Sequence, residues 1–322
     1  MSAPAAARPM RVAMLDVAKA QETRLGEMLD FAHEFAAPAP ALRQRVDAVI
    51  ALRFGKEEAA RWSMPLLHLP GAGADAIDMS VLDAGCVVCN VFEHEVPMAE
   101  FVLAAVLDHT LRYSAMRREF DPDRWAECFA SRRVHGEASG KTLGLLGYGH
   151  IGKAVAARAK ALDLRVLAIS HSGNAPGADW AARPGDLHRM LPQIDFLVVA
   201  CPLTPQTRGM IGAAELALMR PGAVLINIGR GQVVEEEPLF RALESGRLGG
   251  ATLDVWYEYP TPANPNPRPS RFPFERLPNV HCTAHSSAWT QGMFDRRLRS
   301  IADNLRRLRD ALPPRNVIFR AP

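Results

Sequence analysis

The sequence predicts an α/β protein that consists of two doubly wound parallel-sheet domains. Short apolar runs alternate with helical patterns, and this alternation restarts after residue 140. The length of 322 residues is enough for about two domains at roughly 150 residues each. Hydrophobic residues make up 48% of the chain, so a disordered or collagen-like protein is excluded.

The first hundred residues contain the elements of one α/β domain. A helix is predicted over 22–35, and a second, long helix with an apolar face over 95–118. Segment 120–140 is polar and is predicted to be irregular, with Trp125 as its one large anchor. Strands are predicted where short apolar runs occur, at 12–16, 46–52, 66–69 and 86–89.

From Lys141 the pattern of a second domain begins. A strand at 142–146 precedes an alanine-rich helix over 151–162, and six prolines between Pro260 and Pro273 predict an extended loop. Further strands are predicted at 165–169, 196–200, 223–227, 251–254 and 280–283. Apolar residues at helical spacing predict a terminal helix, with one face formed by Phe294, Leu298, Ile301, Leu305, Leu308 and Leu312.

The charge and cysteine content exclude several classes of protein. The 38 Lys and Arg against 35 Asp and Glu leave a net charge of +3, too weak for nonspecific binding to nucleic acid, and no apolar run has the roughly 18 residues of a membrane span. We therefore predict neither a nucleic-acid nor a membrane partner. Five cysteines cannot all pair, and the first ten residues lack the apolar stretch of a signal peptide, so a cytoplasmic protein is predicted.

Cys86 and Cys89 have the spacing of a redox or metal motif, but they lie in a predicted strand. Side chains three positions apart on a strand point to opposite faces. We therefore interpret both cysteines as small buried hydrophobic residues, and no metal site is predicted.

A glycine-rich turn follows the strand at 142–146. Its sequence, Gly147-Tyr-Gly-His-Ile-Gly152, has the G-x-G-x-x-G spacing between a strand and a helix, and this context indicates a dinucleotide site. The first glycine permits a tight turn, the second lets the backbone approach a pyrophosphate, and the third lets helix and strand pack closely. The free N–H groups at the start of the helix bind negatively charged groups such as a pyrophosphate.

Hydroxyl groups and an imidazole occupy the position, about 20 residues further on, where an acidic residue usually binds the ribose hydroxyls. Here the residues are Ser170, His171 and Ser172. A carboxylate would repel a 2′-phosphate, whereas these side chains can donate hydrogen bonds to it. NADP is therefore favoured over NAD, although no arginine follows the strand directly and the next one is Arg183.

Several separated motifs accompany this fingerprint. The first lobe contains Gly71-Ala-Gly-Ala-Asp75, Asn90 and Ala99-Glu100. The second contains Cys201-Pro-Leu-Thr-Pro-Gln-Thr-Arg208, then Leu225-Ile-Asn-Ile-Gly-Arg-Gly231 leading to Leu253-Asp-Val-Trp256, and finally Asn279-Val-His-Cys-Thr-Ala-His-Ser286. In this order and spacing they resemble the D-isomer-specific 2-hydroxyacid dehydrogenase family, of the glyoxylate and hydroxypyruvate reductase type, over almost the whole chain.

The resemblance implies a specific domain arrangement. Residues 1–98 and 287–322 would form a flavodoxin-like substrate domain, and residues 99–286 a Rossmann cofactor domain, with the active-site cleft between them. It also implies a homodimer, because the family makes its two-fold contact around the helix that precedes the cofactor domain. The implied reaction is reduction of a small 2-oxo acid to a D-2-hydroxy acid.

The resemblance also implies roles for individual residues. Arg230 would bind the substrate carboxylate and carbonyl, and His285 would donate the proton to the reduced carbonyl. Backbone N–H groups of Ala72 and Gly73 would complete the grip on the carboxylate. Besides Ser170, His171 and Ser172, the implied cofactor contacts come from Gly147, Gly149, His150, Ile151, Gly152, Cys201, Pro202, Thr207, Ile228, Gly229, Arg230, Asp254 and His285.

One departure from the family pattern concerns the partner of His285. The family has a glutamate five residues after the aspartate of the Asp-Val-aromatic motif, and here that position is Tyr259. A carboxylate raises the pKa of a neighbouring imidazole, whereas a phenol supplies no charge. We therefore expect His285 to be less basic than in a relative with glutamate, unless a bulge in the loop brings Glu258 to it instead.

Two other functions stay open at this stage. The altered segment is also similar to formate dehydrogenase, whose reaction needs no proton transfer, and the same fold serves in dinucleotide-sensing corepressors. Against formate oxidation, Ala72-Gly73 and the segment from Asn90 to Pro97 fit the general hydroxyacid pattern better. Against the corepressor, Arg230 and His285 are both retained. Four aromatic residues either form the wall of a substrate pocket or simply pack in the core: Phe92, Trp256, Tyr257 and Trp289.

Overall fold

The computed structural model describes residues 8–39, 42–261 and 263–322. The chain divides into two compact units, the first made of the chain up to Glu93 together with Thr290–Pro322, and the second of His94–Trp289. The predicted boundaries after residues 98 and 286 lie a few residues away from these. The first difference arises because the helix that begins at Glu95 packs on a helix of the second unit and belongs to it entirely.

Strands and helices alternate through both units. The strands are β1 (Met10–Leu15), β2 (His33–Phe35), β3 (Gln44–Arg45), β4 (Ala48–Ala51), β5 (Trp62–Ser63), β6 (Leu66–His68), β7 (Val87–Cys89), β8 (Thr142–Leu146), β9 (Arg165–Ile169), β10 (Trp180–Ala182), β11 (Phe196–Val199), β12 (Val224–Asn227), β13 (Gly250–Leu253), β14 (Val280–Cys282) and β15 (Val317–Arg320). The helices are α1 (Lys19–Met28), α2 (Lys56–Arg61), α3 (Glu95–Leu111), α4 (Tyr113–Glu119), α5 (Trp125–Ala130), α6 (His150–Lys160), α7 (Leu187–Met190), α8 (Ala213–Leu218), α9 (Glu236–Glu244) and α10 (Gln291–Arg309).

The main sheet of the first unit has the order β2-β1-β4-β6-β7-β15, and β3 and β5 pair separately. Its first five strands are parallel, and in chain order they follow the 2-1-3-4-5 arrangement of flavodoxin-like sheets. Alternate residues of β4 enter two different apolar clusters, so both faces of the sheet are covered. The predicted doubly wound domain is confirmed.

The sheet of the second unit has the order β10-β9-β8-β11-β12-β13-β14, and every pairing in it is parallel. This is the 3-2-1-4-5-6 order of dinucleotide-binding folds with one strand added. Residues of β11 alternate between two cores, Leu197 and Val199 on one face and Phe196 and Val198 on the other. The order reverses between β8 and β11, which is where ligands bind at the carboxyl edge of such sheets.

The predicted helix over 22–35 is wrong in its second half. α1 ends at Met28, and His33–Phe35 forms β2, which pairs with β1. The chain turns back against the helix at Gly26, where an added Cβ would lie 3.1 Å from His33 Nε2 and 3.2 Å from Phe35 Cε2. Pairing with the sheet edge therefore overrides the local helical pattern.

The predicted helix over 95–118 is two helices. Arg112 adopts a left-handed conformation with φ of 57° and separates α3 from α4. The Asp108 carboxylate accepts the Ser114 N–H at 2.7 Å and stabilises this break. Segment 120–140 is also not entirely irregular, because α5 lies within it, and Trp125 is 56% exposed and anchors no core.

The C-terminal helix is shorter than its apolar pattern predicted. α10 ends at Arg309, so Leu312 lies beyond it and is 50% exposed. The chain then forms β15, which pairs antiparallel with β7 and was not predicted. No strand or helix occurs in the described part of the proline-rich loop between Pro260 and Pro273, as predicted.

Cys86 and Cys89 are buried and unpaired, and burial raises the pKa of each thiol to about 11. They pack as small hydrophobic residues, as the sequence indicated. The helices of the described residues include none that is both long and apolar enough to cross a membrane.

A buried histidine connects the first unit's sheet to α10. His68 at the end of β6 is fully buried, and its Nδ1 lies 3.0 Å from the Leu69 carbonyl while its Nε2 lies 3.0 Å from Asn304 Nδ2. Asn304 also bonds the backbone of Arg315 through both its amide nitrogen and its oxygen. The neutral imidazole satisfies both contacts, as donor at Nδ1 and acceptor at Nε2.

We predict that His68 makes the first unit sensitive to acid. Burial lowers the pKa of His68 to about 4 from 6.5. Its stabilising contribution is therefore complete above pH 6.5 and is lost as the pH falls toward 4. Between pH 7.5 and 5.0 the wild type should lose about 2 kcal/mol of unfolding free energy that a His68→Gln variant does not lose. Urea denaturation at both pH values measures this, with the exposed His135→Gln as control. Equal pH dependence of wild type and His68→Gln would contradict it.

Candidate active site

The glycine fingerprint forms a tight turn between β8 and α6. Gly147 has φ of 106°, and a Cβ on it would lie 2.7 Å from the Cys201 backbone nitrogen. A Cβ on Gly152 would lie 2.4 Å from the Gly147 carbonyl oxygen, so no side chain fits there. Gly149 precedes α6, and a Cβ on it would contact nothing within 4 Å. The turn therefore leaves open space beside the helix N-terminus, as a bound pyrophosphate requires.

The turn after β9 is tethered to this fingerprint. Tyr148 is buried, and its hydroxyl donates to the Pro176 carbonyl at 2.5 Å. Ser170 is buried and donates its hydroxyl to the Asn174 carbonyl at 2.9 Å, whereas His171 and Ser172 are exposed. The serine and imidazole groups predicted to contact a ribose therefore lie at the carboxyl edge of the sheet next to β8.

The segment after β11 borders the same turn. Thr207 donates its hydroxyl to the Pro202 carbonyl at 2.6 Å and accepts the Thr204 N–H at 2.8 Å, which gives this loop a compact form. The Cys201 backbone borders two glycines, since a Cβ on Gly147 or Gly229 would approach it within 3 Å. Cys201, Gly147 and Gly229 are thus adjacent.

Arg230 is presented by a loop that Asn227 holds. The Asn227 side chain is buried at the end of β12, accepts the Gly229 N–H at 3.1 Å and donates to the Arg230 carbonyl at 3.0 Å. The Arg230 guanidinium donates to the Gly229 carbonyl at 2.8 Å. A Cβ on Gly231 would lie 2.4 Å from the Trp256 carbonyl, so the chain after Arg230 packs directly on the segment after β13.

Asp254 fixes the segment that carries His285. Its carboxylate is fully buried and accepts the Thr283 hydroxyl at 2.6 Å, the Ser286 N–H at 2.7 Å and the Ser287 N–H at 3.0 Å. His285, between these partners, has φ of 54°, a conformation that costs energy for a residue with a Cβ. The bonds to Asp254 stabilise the turn on both sides of it.

Tyr259 contacts His285 directly. The Tyr259 oxygen lies 2.9 Å from His285 Nδ1 and accepts the Trp256 N–H at 3.1 Å. Desolvation raises the pKa of Tyr259, so the phenol is neutral near pH 7 and has a proton to donate. The neutral imidazole can accept the Tyr259 proton at Nδ1, and the protonated imidazole can donate its Nδ1–H to the Tyr259 oxygen; in both states Nε2 lies outside this bond. Glu258, the alternative partner for His285, bonds the Pro269 carbonyl through its backbone N–H at 3.1 Å.

The protein around the His285 ring lowers the pKa of the imidazole. Although the residue as a whole is exposed, partial desolvation of its ring is the main cause; the Asp254 charge raises the pKa and the Arg230 charge lowers it further. Arg230 therefore lies close enough to His285 to act on its charge. That His285 is less basic than in a relative with glutamate at position 259 stays a prediction.

Two of the four aromatic candidates are core residues. Trp256 is buried and donates its ring N–H to the Thr283 carbonyl at 2.8 Å, and Tyr257 donates its hydroxyl to the Val234 carbonyl at 3.0 Å. Trp289 is 69% exposed. Trp256 and Tyr257 thus provide packing and hydrogen bonds within the second unit, and a place for the four aromatic residues in a substrate pocket stays a prediction.

Ala72 and Gly73 lie in the first unit, in the loop after β6. The Asn90 amide donates to the Ala72 carbonyl at 2.9 Å, and the Val91 N–H donates to the Gly71 carbonyl at 3.2 Å. The chain after β7 thereby holds this loop. Their role as carboxylate binders stays a prediction.

Sequence reasoning placed the residues that support the site within its motifs but assigned them no role. Asn227, Thr283 and Asn90 each bind the backbone or the carboxylate that positions a predicted site residue. Their signal in the sequence is a polar residue directly after a buried strand. Such residues need a partner when buried, so the position alone points to a local hydrogen bond.

Comparison with known proteins agrees with this geometry. Residues 103–287 match the NAD binding domain of the D-isomer specific 2-hydroxyacid dehydrogenases, which is more than half of the chain. This chain belongs to that family. The family assigned from the sequence motifs is therefore confirmed.

Three individual proteins illustrate the similarity. A glyoxylate reductase of Thermococcus gammatolerans is 46% identical over 122 residues, 38% of this chain and 36% of that protein. A formate dehydrogenase of Arabidopsis thaliana is 30% identical over 239 residues, 71% of this chain and 59% of that protein. A crystal structure of a family member from Xanthobacter autotrophicus Py2 with NADPH and MES has a TM-score of 0.76 and 25% identity, and covers 96% of this chain and 98% of that one. The matched regions thus span less than two thirds of both curated relatives.

Proposed function

We propose that this protein is an NAD(P)-dependent oxidoreductase that reduces a 2-oxo acid to a D-2-hydroxy acid. The observation that carries the proposal is the bond between Tyr259 and His285, which occupies Nδ1 and leaves Nε2 to give the proton of the protonated imidazole, in a unit that also holds Arg230 and the glycine turn. Family membership and the glyoxylate reductase relative support this reaction class.

A dinucleotide fits the residues present. The turn from Gly147 to Gly152 has no side chain in the space beside the α6 N-terminus, and the Cys201 and Gly229 backbones border it. A bound reduced nicotinamide supplies the hydride for carbonyl reduction. NADP is favoured over NAD because Ser170, His171 and Ser172 bring no carboxylate to the turn after β9. The NADPH in the Xanthobacter structure supports this preference.

Arg230 is proposed to bind the substrate carboxylate and carbonyl. A guanidinium presents parallel N–H donors that match the two oxygens of a carboxylate or of a 2-oxo acid. The bonds between Asn227 and the Gly229–Arg230 backbone orient this side chain before substrate arrives. Less ordering entropy is then lost on binding. Ala72 and Gly73 would contribute backbone N–H groups from the first unit.

His285 is proposed to be the general acid. Reduction places negative charge on the carbonyl oxygen, and a proton given from Nε2 of the protonated imidazole neutralises it, while Nδ1–H donates to the Tyr259 oxygen. Tyr259 holds Nδ1, so the ring has one orientation and one reacting nitrogen. Asp254 contributes a buried negative charge that raises the pKa of His285 but does not touch its ring nitrogens in the bonds it makes.

Formate oxidation is the second candidate. The similarity to the Arabidopsis formate dehydrogenase favours it, and an uncharged partner of the histidine suits a reaction without proton transfer. Against it, Ala72-Gly73 and the segment from Asn90 to Pro97 fit the general hydroxyacid pattern better. Formate with oxidised cofactor is therefore the control substrate for the assay below.

We also propose a homodimer, formed through the segment that follows α3. This segment carries exposed apolar side chains between charges of both signs, which suits a self-complementary two-fold contact. Tyr113, Phe120, Trp125, Phe129 and Val134 are each more than half exposed. The charged residues alongside them are Arg117, Arg118, Glu119, Asp121, Asp123 and Arg124.

The first prediction of the proposed function concerns turnover. With NADPH and a panel of glyoxylate, hydroxypyruvate, pyruvate and aromatic 2-oxo acids, the wild type should oxidise cofactor. Arg230→Gln should lose roughly 100-fold or more in kcat/KM, because a charge-assisted double hydrogen bond is removed. The exposed Arg241→Gln serves as control. Cofactor binding without turnover of any acid would contradict the reductase and favour the sensing scaffold, and turnover of formate alone would favour the second candidate.

The second prediction concerns pH. Reduction needs protonated His285, so activity is lost as the pH rises through its lowered pKa. In Tyr259→Glu the added carboxylate should raise that pKa and move the descending limb of the kcat/KM profile up by about one pH unit. Tyr259→Phe, which lacks both charge and hydroxyl, is the control and should keep the limb near its wild-type position. Superimposable wild-type and Tyr259→Glu profiles would refute the role of this pair.

The third prediction concerns assembly. Light scattering should give twice the chain mass of 35.2 kDa for the wild type. A Trp125→Arg/Phe129→Arg variant should be monomeric because it places charge in the apolar contact. Leu312→Arg, which changes an equally exposed leucine of the first unit, should stay dimeric. A monomeric wild type, or a dimer unaffected by the double substitution, would refute this interface.

A further inference from the structure

Arg183 lies beside Ser170, although the two residues are far apart in the sequence. β10 pairs with β9 so that Ala182 is opposite Ile169, and the Ser170 N–H donates to the Ala182 carbonyl at 3.0 Å. The next residue on each strand is therefore Arg183 on one and Ser170 on the other. Both are at the carboxyl edge of the sheet, where the turn after β9 begins.

The Arg183 side chain lies on that turn. Gly173 has φ of +78°, and a Cβ on it would lie 3.0 Å from Arg183 Cγ and 3.6 Å from Arg183 Nε. The stem of the arginine thus crosses the turn formed by residues 170–173, which is closed by a bond from the Gly173 N–H to the Ser170 carbonyl at 3.1 Å. Glycine at this position permits both the left-handed turn and the close approach of the arginine.

The guanidinium of Arg183 is not engaged by protein. Within residues 8–39, 42–261 and 263–322, its side chain makes no hydrogen bond or ion pair, and it is exposed. Asp186 contacts Arg183 only through its backbone N–H, which donates to the Arg183 carbonyl at 3.0 Å. Asp179 is bound by Lys160 and by the Val166 N–H, near the other end of β9.

The remaining groups of the turn are donors without a negative charge among them. Ser172 accepts the Asn174 N–H at 3.2 Å through its hydroxyl oxygen and lies 3.4 Å from the Ser170 hydroxyl, while His171 is exposed. The bond from Tyr148 to Pro176 connects the loop after this turn to the glycine fingerprint. A positive charge, the Ser172 hydroxyl and the His171 imidazole therefore surround the position beyond β9, whereas the Ser170 hydroxyl is already bonded to the Asn174 carbonyl.

We propose that Arg183 binds the 2′-phosphate of NADP(H) and determines the preference of this protein for NADP(H) over NAD(H). The proposal rests on the proposed function, since it requires a dinucleotide on the Gly147–Gly152 turn. A guanidinium pairs with phosphate oxygens through parallel charge-assisted N–H donors, whereas a 2′-hydroxyl offers no charge. No arginine follows β9 directly, and Arg183 after the neighbouring strand β10 supplies the positive charge instead.

Direct binding measurements test this without turnover. Nucleotide fluorescence gives Kd for NADPH and NADH, and calorimetry gives Kd for 2′,5′-ADP and for ADP, which lack the nicotinamide. Arg183→Gln should raise Kd for NADPH and 2′,5′-ADP roughly 10- to 100-fold, the range for a hydrogen bond to a charged group. Kd for NADH and ADP should change less than about twofold. Arg183→Lys keeps the charge and should lie between the wild type and Arg183→Gln.

Arg165→Gln is the matched control, because Arg165 is an exposed arginine at the opposite end of β9. It should bind all four nucleotides as the wild type does. Unchanged binding of 2′,5′-ADP by Arg183→Gln, or an equal loss for NADPH and NADH, would overturn the assignment of Arg183. A wild type that binds neither NADPH nor NADH would instead overturn the proposed function, so the two failures are distinguishable.

Discussion

The buried carboxylate of Asp254 is the constraint on which the chemistry of the second unit depends. An ionised group in a fully buried position is costly unless its oxygens are bonded, and here three donors from the segment after β14 bond them. These same bonds hold His285 in a left-handed conformation that its own side chain disfavours. The energy of the Asp254 bonds thus offsets the local strain of the proposed acid.

Electrostatic balance around His285 follows from this arrangement. Asp254 raises the pKa of the imidazole, whereas desolvation and Arg230 lower it, and the phenol of Tyr259 adds no charge on either side. The net effect is a lowered pKa, in a family whose pattern has a carboxylate where this chain has Tyr259. A phenol in place of a carboxylate at position 259 therefore makes the proposed proton donor more acidic, while Nε2 stays the nitrogen that gives the proton.

The sequence predicted the second unit better than the first because its central strands are continuous, fully buried, mostly apolar runs separated by clear helices. The glycine fingerprint required both its spacing and its context, and the structure shows a reason for each glycine. Errors arose where the folded chain overrides a local pattern. His33–Phe35 pairs with a sheet edge, Arg112 interrupts a continuous apolar face, and β15 forms by pairing with β7. The supporting role of Asn227 and the approach of Arg183 to Gly173 depend on which strands are neighbours, and a linear pattern does not contain that information.

The bond at Nδ1 of His285 determines how the imidazole would be protonated again after each proposed reaction. A buried carboxylate partner could stabilise a positive ring between cycles, but a neutral phenol that already accepts the Trp256 N–H stabilises it far less. The ring would give up and regain its proton through the same nitrogen, Nε2. The proposed cycle then requires solvent access to this histidine, because a proton from water restores the acid after the product leaves.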